Sequence, residues 1–589
     1  MTPGLRFVRP RAWTLRGVTA VVLVGGLGAL GGPAEGPPLL APDASQEPPA
    51  PAPWFEDATA ELLGAVEVVC GSARKDWIAE VNGGGVGLAD LDRDGDLDLV
   101  VVDGSTVDAW RASEAGLPPR VFLNAGDGRL VRAREDSAWH LPAAPGWGTG
   151  LAVGDLDGDG FEDLVVTQLG PVRVFLSRGG EGLVEVTARA GLSTAGWHTS
   201  AALLDWDGDG VLDLFLTRYL EFDPDAIPAR AEADALWKGQ RVMVGPEGLA
   251  PLHDRLFRGR GDGGFEEVTE LAGLLDAPAA FGLGVAVLDA NGDGRDDLFV
   301  SNDSQPNHLW VRGPDGRFLE QAFALGVGHG ADGREQAGMG IACEDLDGTG
   351  RPTLLVTNFS GEPNALYRPG RRGPGYRERS ARQGVAAASL VRLGWGTGFL
   401  DADLDGRLEA FVLNGHVYPE ADAPGTDTSY AQPDELYRPA GEGLAVSGFT
   451  VAPLSDLPPA VSRAGVAGDL DGDGDEDLIV LPVEGAVRVL RNRAPRRGAW
   501  LGLRVLTQGG APALGAQVEL RRGAWTATRR VTTAGGFQAA RPAELRVGIP
   551  AGEGPVAVTV RWPGGATRAL AVEELDRMLS LAPAEEGQR

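Results

Sequence analysis

One nine-residue loop, D-x-D/N-x-D-G-x-x-D, recurs along the chain, and a recurrence of this kind decides the architecture before any local reading does. Full copies begin at Asp90, Asp155, Asp205, Asp289 and Asp469. Two variants begin at Asp401, where Glu409 replaces the last acid, and at Asp345, where Thr349 and Thr353 replace two acids. Successive starts lie 65, 50, 84, 56, 56 and 68 residues apart. Each copy follows a glycine-rich approach such as GGGVGLAD or FGLGVAVLD and precedes an apolar run such as LDLVVVD or DDLFVSN, which reads as strand, tight loop, strand. A hairpin signal follows, as in VFLNAGDGRL and LWVRGPDGRF, and then a short strand such as FEEVT at Phe265. Four strands per unit describe a propeller blade, so the loops predict an all-β, seven-bladed β-propeller over residues 53–494. The segment FEDAT, Phe55 to Thr59, has the form of a blade's last strand with no blade ahead of it, while the seventh unit runs out at Val487–Arg493. The N-terminal strand is therefore expected to complete blade seven, which also pairs an edge otherwise left open.

Side chains at loop positions 1, 3, 5 and 9, with a carbonyl from position 7, can converge on one point. Blade one offers Asp90, Asp92, Asp94 and Asp98, with Asp96 seventh; blade two offers Asp155, Asp157, Asp159 and Asp163, with Phe161 seventh. Blade three offers Asp205, Asp207, Asp209 and Asp213 with Val211, and blade four offers Asp289, Asn291, Asp293 and Asp297 with Arg295. Blade six offers Asp401, Asp403, Asp405 and Glu409 with Arg407, and blade seven offers Asp469, Asp471, Asp473 and Asp477 with Asp475. An all-oxygen cage without His or Cys selects calcium, and glycine at position 6 permits the turn that brings the arms together. An EF-hand is rejected, because strands flank the loops and no copy has Glu at position 12. About six calcium ions are expected, with the Asp345/Asp347 loop binding weakly or not at all.

The formal charge of −30, with Lys75 and Lys238 the only lysines, argues against nucleic acid as a partner. Glycine and proline, 88 and 41 of 589 residues, mark a turn-dense globular chain short of a low-complexity one. Cys70 and Cys343 exclude a disulfide framework or a CxxC site, and both are expected to be buried thiols. At the N-terminus, Arg6, Arg9, Arg11 and Arg16 precede the apolar run Gly17–Gly32. That layout predicts a signal peptide over 1–32 and a Pro/Ala-rich linker over 33–52. The run is shorter than the roughly 20 residues of a membrane span, so cleavage is favoured over an uncleaved anchor. The expected location is secreted, periplasmic or cell-surface.

The motifs FEDATAEL at Phe55, GGGVGLADLDRDGDLDLVVVDG at Gly83, FGLGVAVLDANGDGRDDLFVSNDSQPNHLW at Phe281 and GWGTGFLDADLDGRLEAFVLNGHVYPE at Gly394 resemble those of a known family. It is the family of exported FG-GAP/VCBS-repeat propellers ending in an ASPIC/UnbV domain, which includes cartilage acidic protein-like chains. The tail motifs GAQVELRRG, TTAGGF and VTVRWPGG are similar to its ASPIC/UnbV pattern, placing that domain at 495–585. The resemblance implies calcium in the repeats and an extracellular propeller similar to the integrin head. The family often has a Ser-rich stretch after the paired tail glycines, where this chain has FQAARPAELRVGIP. Alternation predicts tail strands at 501–506, 516–520, 526–531, 544–548 and 556–562, in a domain packed beside blade seven that binds no calcium.

Several signals carry little. Arg260-Gly261-Asp262 falls where other blades have a hairpin turn, the sequons at Asn302 and Asn358 sit just after a second strand, and the GxGxxG at Gly328 lacks strand-then-helix context. No H-E-x-x-H or G-x-S-x-G constellation is present. Connections after the second strands leave the ring on the face opposite the loops. The longest ones carry Tyr219, Trp237, Lys238, His416 and Tyr418, the candidate ligand rim. The leading expectation is a monomeric, calcium-stabilised binding module for an extracellular protein or glycan. The alternative is a carbohydrate-active enzyme, a polysaccharide lyase or hydrolase, at the channel mouth. A His/Tyr/Arg set clustered around His416 would favour the enzyme, and a flat aromatic rim the binding module.

Overall fold

The computed structural model describes residues 51–192, 196–441 and 443–584, so the expected signal and nearly all of the Pro/Ala-rich segment lie outside the described residues. Seven antiparallel sheets of the blade type follow one another along the chain. Blade one is Gly85–Ala89, Asp98–Val102, Arg120–Asn124 and Leu130–Arg132. Blades two to six open with Trp147–Gly154, His198–Leu204, Gly282–Leu288, Ile341–Glu344 and Gly394–Leu400, and blade seven with Ser462–Gly468. The acid loops join first strands to second strands. The first strand of each blade touches that of the next, and blade seven's touches blade one's. These contacts explain the glycine-rich approaches. A Cβ on Gly150 would lie 2.8 Å from the Thr199 carbonyl oxygen, and one on Gly340 would lie 2.0 Å from that of Trp395, so any side chain there would force neighbouring inner strands apart.

The N-terminal strand Phe55–Asp57 pairs antiparallel with Arg488–Asn492, Phe55 opposite Asn492 and Asp57 opposite Leu490. Phe55 is 3% exposed and packs among Leu400, Phe411, Leu436 and Leu478, between blades six and seven. The expected closing strand is in place.

From Ala499 the chain forms two more sheets. One contains Ala499–Val505, Leu545–Ile549 and Arg577–Leu581; the other contains Gln517–Arg522, Trp525–Arg530, Val556–Arg561 and Thr567–Val572. The five strands read from alternation are present within two residues. Thr567–Val572 and Arg577–Leu581 escape that reading because they are largely exposed and show no regular in-out alternation.

The position of this tail corrects the expectation. Ring and tail lie in one compact unit that starts at Pro51, and the tail's core residues Val518, Trp525 and Val558 are continuous with Leu156 and Leu203 of blades two and three. The tail covers the loop face of the ring and sends residues 532–541 into its centre. There Ala539–Ala540 pairs in parallel with Gly85–Ala89, Ala539 opposite Val86. The amide of Val285 donates to the Gly536 carbonyl at 2.8 Å, and that of Gln538 to Ser200 Oγ at 2.9 Å. Phe537 is fully buried against Trp395, ring centroids 5.1 Å apart. A ring of inner strands presents unpaired backbone to its own channel, and the tail segment supplies the missing partners.

Candidate metal loops and ligand face

All seven acid loops share one bond. The carboxylate at position 1 accepts from the amide of the position 6 glycine, at 2.6 Å for Asp345 with Gly350 and 3.3 Å for Asp90 with Gly95, the other pairs falling between. Each of those glycines has positive φ, from 80° at Gly350 to 107° at Gly95, a conformation that a side chain would strain. The acid at position 9 has a second task that spacing alone does not show. One of its oxygens accepts from the position 2 amide. In five blades the other accepts from an amide at the end of the third strand, as Asp98 does from Asn124 at 2.8 Å and Asp163 from Ser177 at 2.7 Å. Position 9 therefore braces loop to blade, and only its remaining lone pairs are left to meet a cation.

In five loops three acids bring oxygens within 4.8 Å of one another: Asp90, Asp92 and Asp94; Asp155, Asp157 and Asp163; Asp205, Asp207 and Asp213; Asp401, Asp403 and Glu409; Asp469, Asp471 and Asp473. In blade four Asn291 stands at position 3, its Nδ2 donating to Asp293 at 2.9 Å, and Arg295 holds Asp293 at 2.5 Å. In blade six Arg407 holds Asp405 at 2.7 Å in the same way. In blade five Asp347 is held by Arg368. Asp159, Asp209 and Asp405 stand outside the close clusters, and Asp96 and Asp475 occupy position 7, where a ligand would be a carbonyl.

Burial sets the electrostatics. It pushes Asp98 and Asp163 up to about 8, and Asp213, Asp297 and Asp477 up to about 7. Asp401 and Glu409 rise well above the carboxylate range, chiefly through burial and then through their acidic neighbours. Asp401 Oδ1 is buried without a hydrogen-bond partner. Converging oxygens that hold protons for want of positive charge suit a hard divalent cation, so the donor set fits one.

The tail reaches these loops with basic side chains. Arg546 lies 3.0 Å from Asp469, Arg497 lies 3.1 Å from Asp403, and Arg529 donates to the Asp345 carbonyl at 3.3 Å. Arg530 pairs with Asp296 beside the blade-four loop, and Trp525 Nε1 donates to the Gly406 carbonyl at 3.1 Å. The tail holds no acid cluster of its own among the described residues.

On the opposite face the candidate rim residues do meet, but not as an open rim. Trp237, His416, Tyr418 and Phe359 form one aromatic cluster, with the His416 ring 4.6 Å from Trp237 and 5.3 Å from Phe359. Lys238 stacks on Trp237 at 4.9 Å and pairs with Asp427. His416 is fully buried. Its Nδ1 accepts from the Tyr418 amide at 3.0 Å, which leaves Nε2–H for Ser360 Oγ at 3.3 Å. Burial, then Arg463 and Lys238, lower it to about 3, so it is neutral. Tyr219, also buried, donates to Asp303 at 2.6 Å. Trp237 and Tyr418 are half-buried and Lys238 is exposed. The insertion 219–251 covers the channel mouth: Trp77 donates to the Ile227 carbonyl at 3.3 Å, Arg111 pairs with Asp225, and Arg230 pairs with Glu420. A His/Tyr/Arg set does surround His416, but Arg463 is buried and spends its guanidinium on the carbonyls of Val81, Gly415, Ser462 and His416. Asn302 and Asn358 are buried, each donating from its amide to a proline carbonyl at 2.7 Å. Arg260-Gly261-Asp262 lies in the hairpin between Arg255–Gly259 and Phe265–Glu267. Cys70 is buried as expected, whereas Cys343 is half-buried.

Known families match both parts of the chain. The FG-GAP-like repeat matches residues 90–166, 155–216, 244–300 and 289–356, and "ASPIC and UnbV" matches 506–588. Cartilage acidic protein 1 of Mus musculus is 26% identical over 460 residues, covering 74% of this chain and 63% of that protein. The Xenopus tropicalis protein of the same name is 25% identical over 456 residues, with the same coverage. The match thus spans less than two thirds of the length of these relatives. Among solved structures, the Dos1 propeller is 11% identical, covering 70% of this chain and 92% of that one at a TM-score of 0.35. No helix among the described residues is long and apolar enough to cross a membrane.

Proposed function

We propose that this chain, which carries FG-GAP-like repeats followed by an ASPIC and UnbV domain, is an exported, calcium-stabilised scaffold whose task is binding. Calcium sits in the loops of blades one to four, six and seven, about six ions in all, and the blade-five loop holds none. The observation that carries this reading is the gathering of three acids within 4.8 Å in five separate loops, on a chain whose charge is −30. The ligand is an extracellular protein or glycan that meets the half-buried Trp237 and Tyr418 beside exposed Lys238. An aromatic face next to a cation suits sugar rings and peptide side chains alike. Recognition is favoured over carbohydrate chemistry because His416 and Arg463 are sealed from substrate and already hydrogen-bonded.

Calorimetric titration of the full chain with calcium tests the reading. About six sites are expected, and two or fewer would overturn it. A panel of neutral and charged glycans and extracellular matrix proteins, probed with the parent and with Trp237→Ala, tests the face; a ligand indifferent to that change binds elsewhere.

A further inference from the structure

Blade five departs from its neighbours in charge. Its loop is the one reduced to Asp345 and Asp347, and the Asp347 carboxylate is held by Arg368 at 2.5 Å. At position 7 of the same loop Arg351 stacks over Tyr376 at 5.2 Å, and its guanidinium donates to the carbonyls of Ala290 at 2.9 Å and Gly373 at 3.1 Å. Arg368 thus neutralises one of the two acids this loop keeps, and Arg351 turns away from the other towards the hairpin. The third and fourth strands, Ala365–Pro369 and Tyr376–Glu378, are joined by GRRGPG, and across 365–379 Glu378 is the sole acid. The sign of the surface reverses here.

The hairpin borders a groove of about 1350 Å3, lined by Arg351, Arg368, Arg371, Arg372, Arg377 and Arg379. Arg371, Arg372 and Arg377 are exposed, and among the described residues none of the three is engaged by a carboxylate. Deeper in, Arg368 is 7% exposed and its Nη1 has no partner. A buried donor left without a partner calls for one, a water or a ligand atom. The planar fork of arginine matches carboxylate and sulfate oxygens two at a time. The volume exceeds that of a typical small-ligand pocket, roughly 300–1,000 Å3, and so fits an extended chain. Among the described residues the only aromatic lining is Tyr376, buried and already covered by Arg351, which offers no platform for nucleobases. A concave groove also takes a strand better than a lipid plane.

We infer that blade five carries a second binding site, distinct from the aromatic face, for an extended acidic polysaccharide whose carboxylate or sulfate groups are held by Arg371, Arg372 and Arg377 at the mouth and by Arg368 within. The test uses the full chain in calcium against immobilised heparin and polygalacturonate, with dextran as neutral control. Binding to at least one acidic glycan, none to dextran, and weakening with salt are expected. Heparin alone identifies sulfate as the recognised group, and polygalacturonate alone identifies carboxylate. The triple variant R371E/R372E/R377E should lose about 30-fold, at about threefold or more per exposed arginine, while R129E/R134E on the blade-one hairpin retains binding. Should the triple variant unfold, R371Q and R372Q singly should each lose about threefold. Binding to neither glycan, undiminished binding by the variants, or equal affinity for phosphatidylserine vesicles or single-stranded DNA would overturn the assignment.

Discussion

Arg546 of the tail stands 3.0 Å from Asp469, the first acid of the blade-seven loop, with its guanidinium also 5.0 Å over the Trp500 ring. One side chain therefore links the tail's packing to an acid loop. A tail whose folding ignores chelators is incompatible with that link. Chelation of the full chain should raise hydrogen exchange in the loops and, since calcium competes with Arg546 for Asp469, lower it in Ala499–Val505 and Leu545–Ile549. Arg546→Gln should tighten calcium at blade seven, by removing a competing positive charge, while loosening the tail. Unchanged exchange in both strands on chelation would show that ring and tail are uncoupled.

The raised carboxyls set a pH dependence whose sign follows from linkage. Asp98 and Asp163 at about 8, with Asp213, Asp297 and Asp477 at about 7, all lie above an unfolded value of about 3.9. Their folded forms bind protons more readily, so the stabilisation they give is fully present below pH 4 and is lost as pH rises to about 8. His198 and His308 at about 4, and His416 at about 3, oppose this below about pH 6.5. In chelator the melting temperature should therefore fall from pH 6.5 to pH 8, and calcium should stabilise more at pH 8 than at pH 6.5, since it replaces protons. A chelated chain more stable at pH 8 would contradict this.

Ring closure rests on a three-residue strand. Phe55→Ala should cost about 3–5 kcal/mol, and a chain beginning at Glu61 should melt well below the parent, because it also loses the Phe55–Asp57 pairing. A melting temperature within about 1 °C of the parent would show that Arg488–Asn492 needs no partner.

Gly536 has φ of 82°, and a Cβ there would lie 2.2 Å from the Ile341 carbonyl oxygen. Gly536→Ala should destabilise by more than the roughly 1–3 kcal/mol of backbone strain alone. Gly523→Ala, at φ 59° with nothing within 4 Å, supplies the strain-only comparison in the same denaturant melts. Equal losses would mean that the centre of the ring gives way freely.

Local order was legible in the sequence, and distant order was not. The D-x-D/N-x-D-G-x-x-D loops and their flanking strands repeat, so each copy supported the others, and FEDAT was readable because its blade was missing. Nothing near Ala539–Ala540 announces a parallel partner at Val86–Gly87, since a two-residue pairing across most of the chain leaves no periodicity. The glycines of GGGVGLAD read as an approach to a loop, whereas their cause is the neighbouring blade. Tyr219 and His416 looked like rim residues because long connections usually face solvent; the insertion that carries Tyr219 folds over the channel instead. The arginines of GRRGPGYRER fall in no repeat and no motif, and only the hairpin's place beside Asp347 and Arg368 turns them into a groove.

The segment that fills the ring comes from residues 532–541, beyond all seven blades in chain order. At roughly 5–20 residues added per second, blade one is made long before Ala539 exists to pair with it. Sheets formed early therefore enclose an unfilled centre until that segment emerges, and a chain that stops before Thr532 leaves a ring with no axis. The axis of the ring is thus added after the walls it joins.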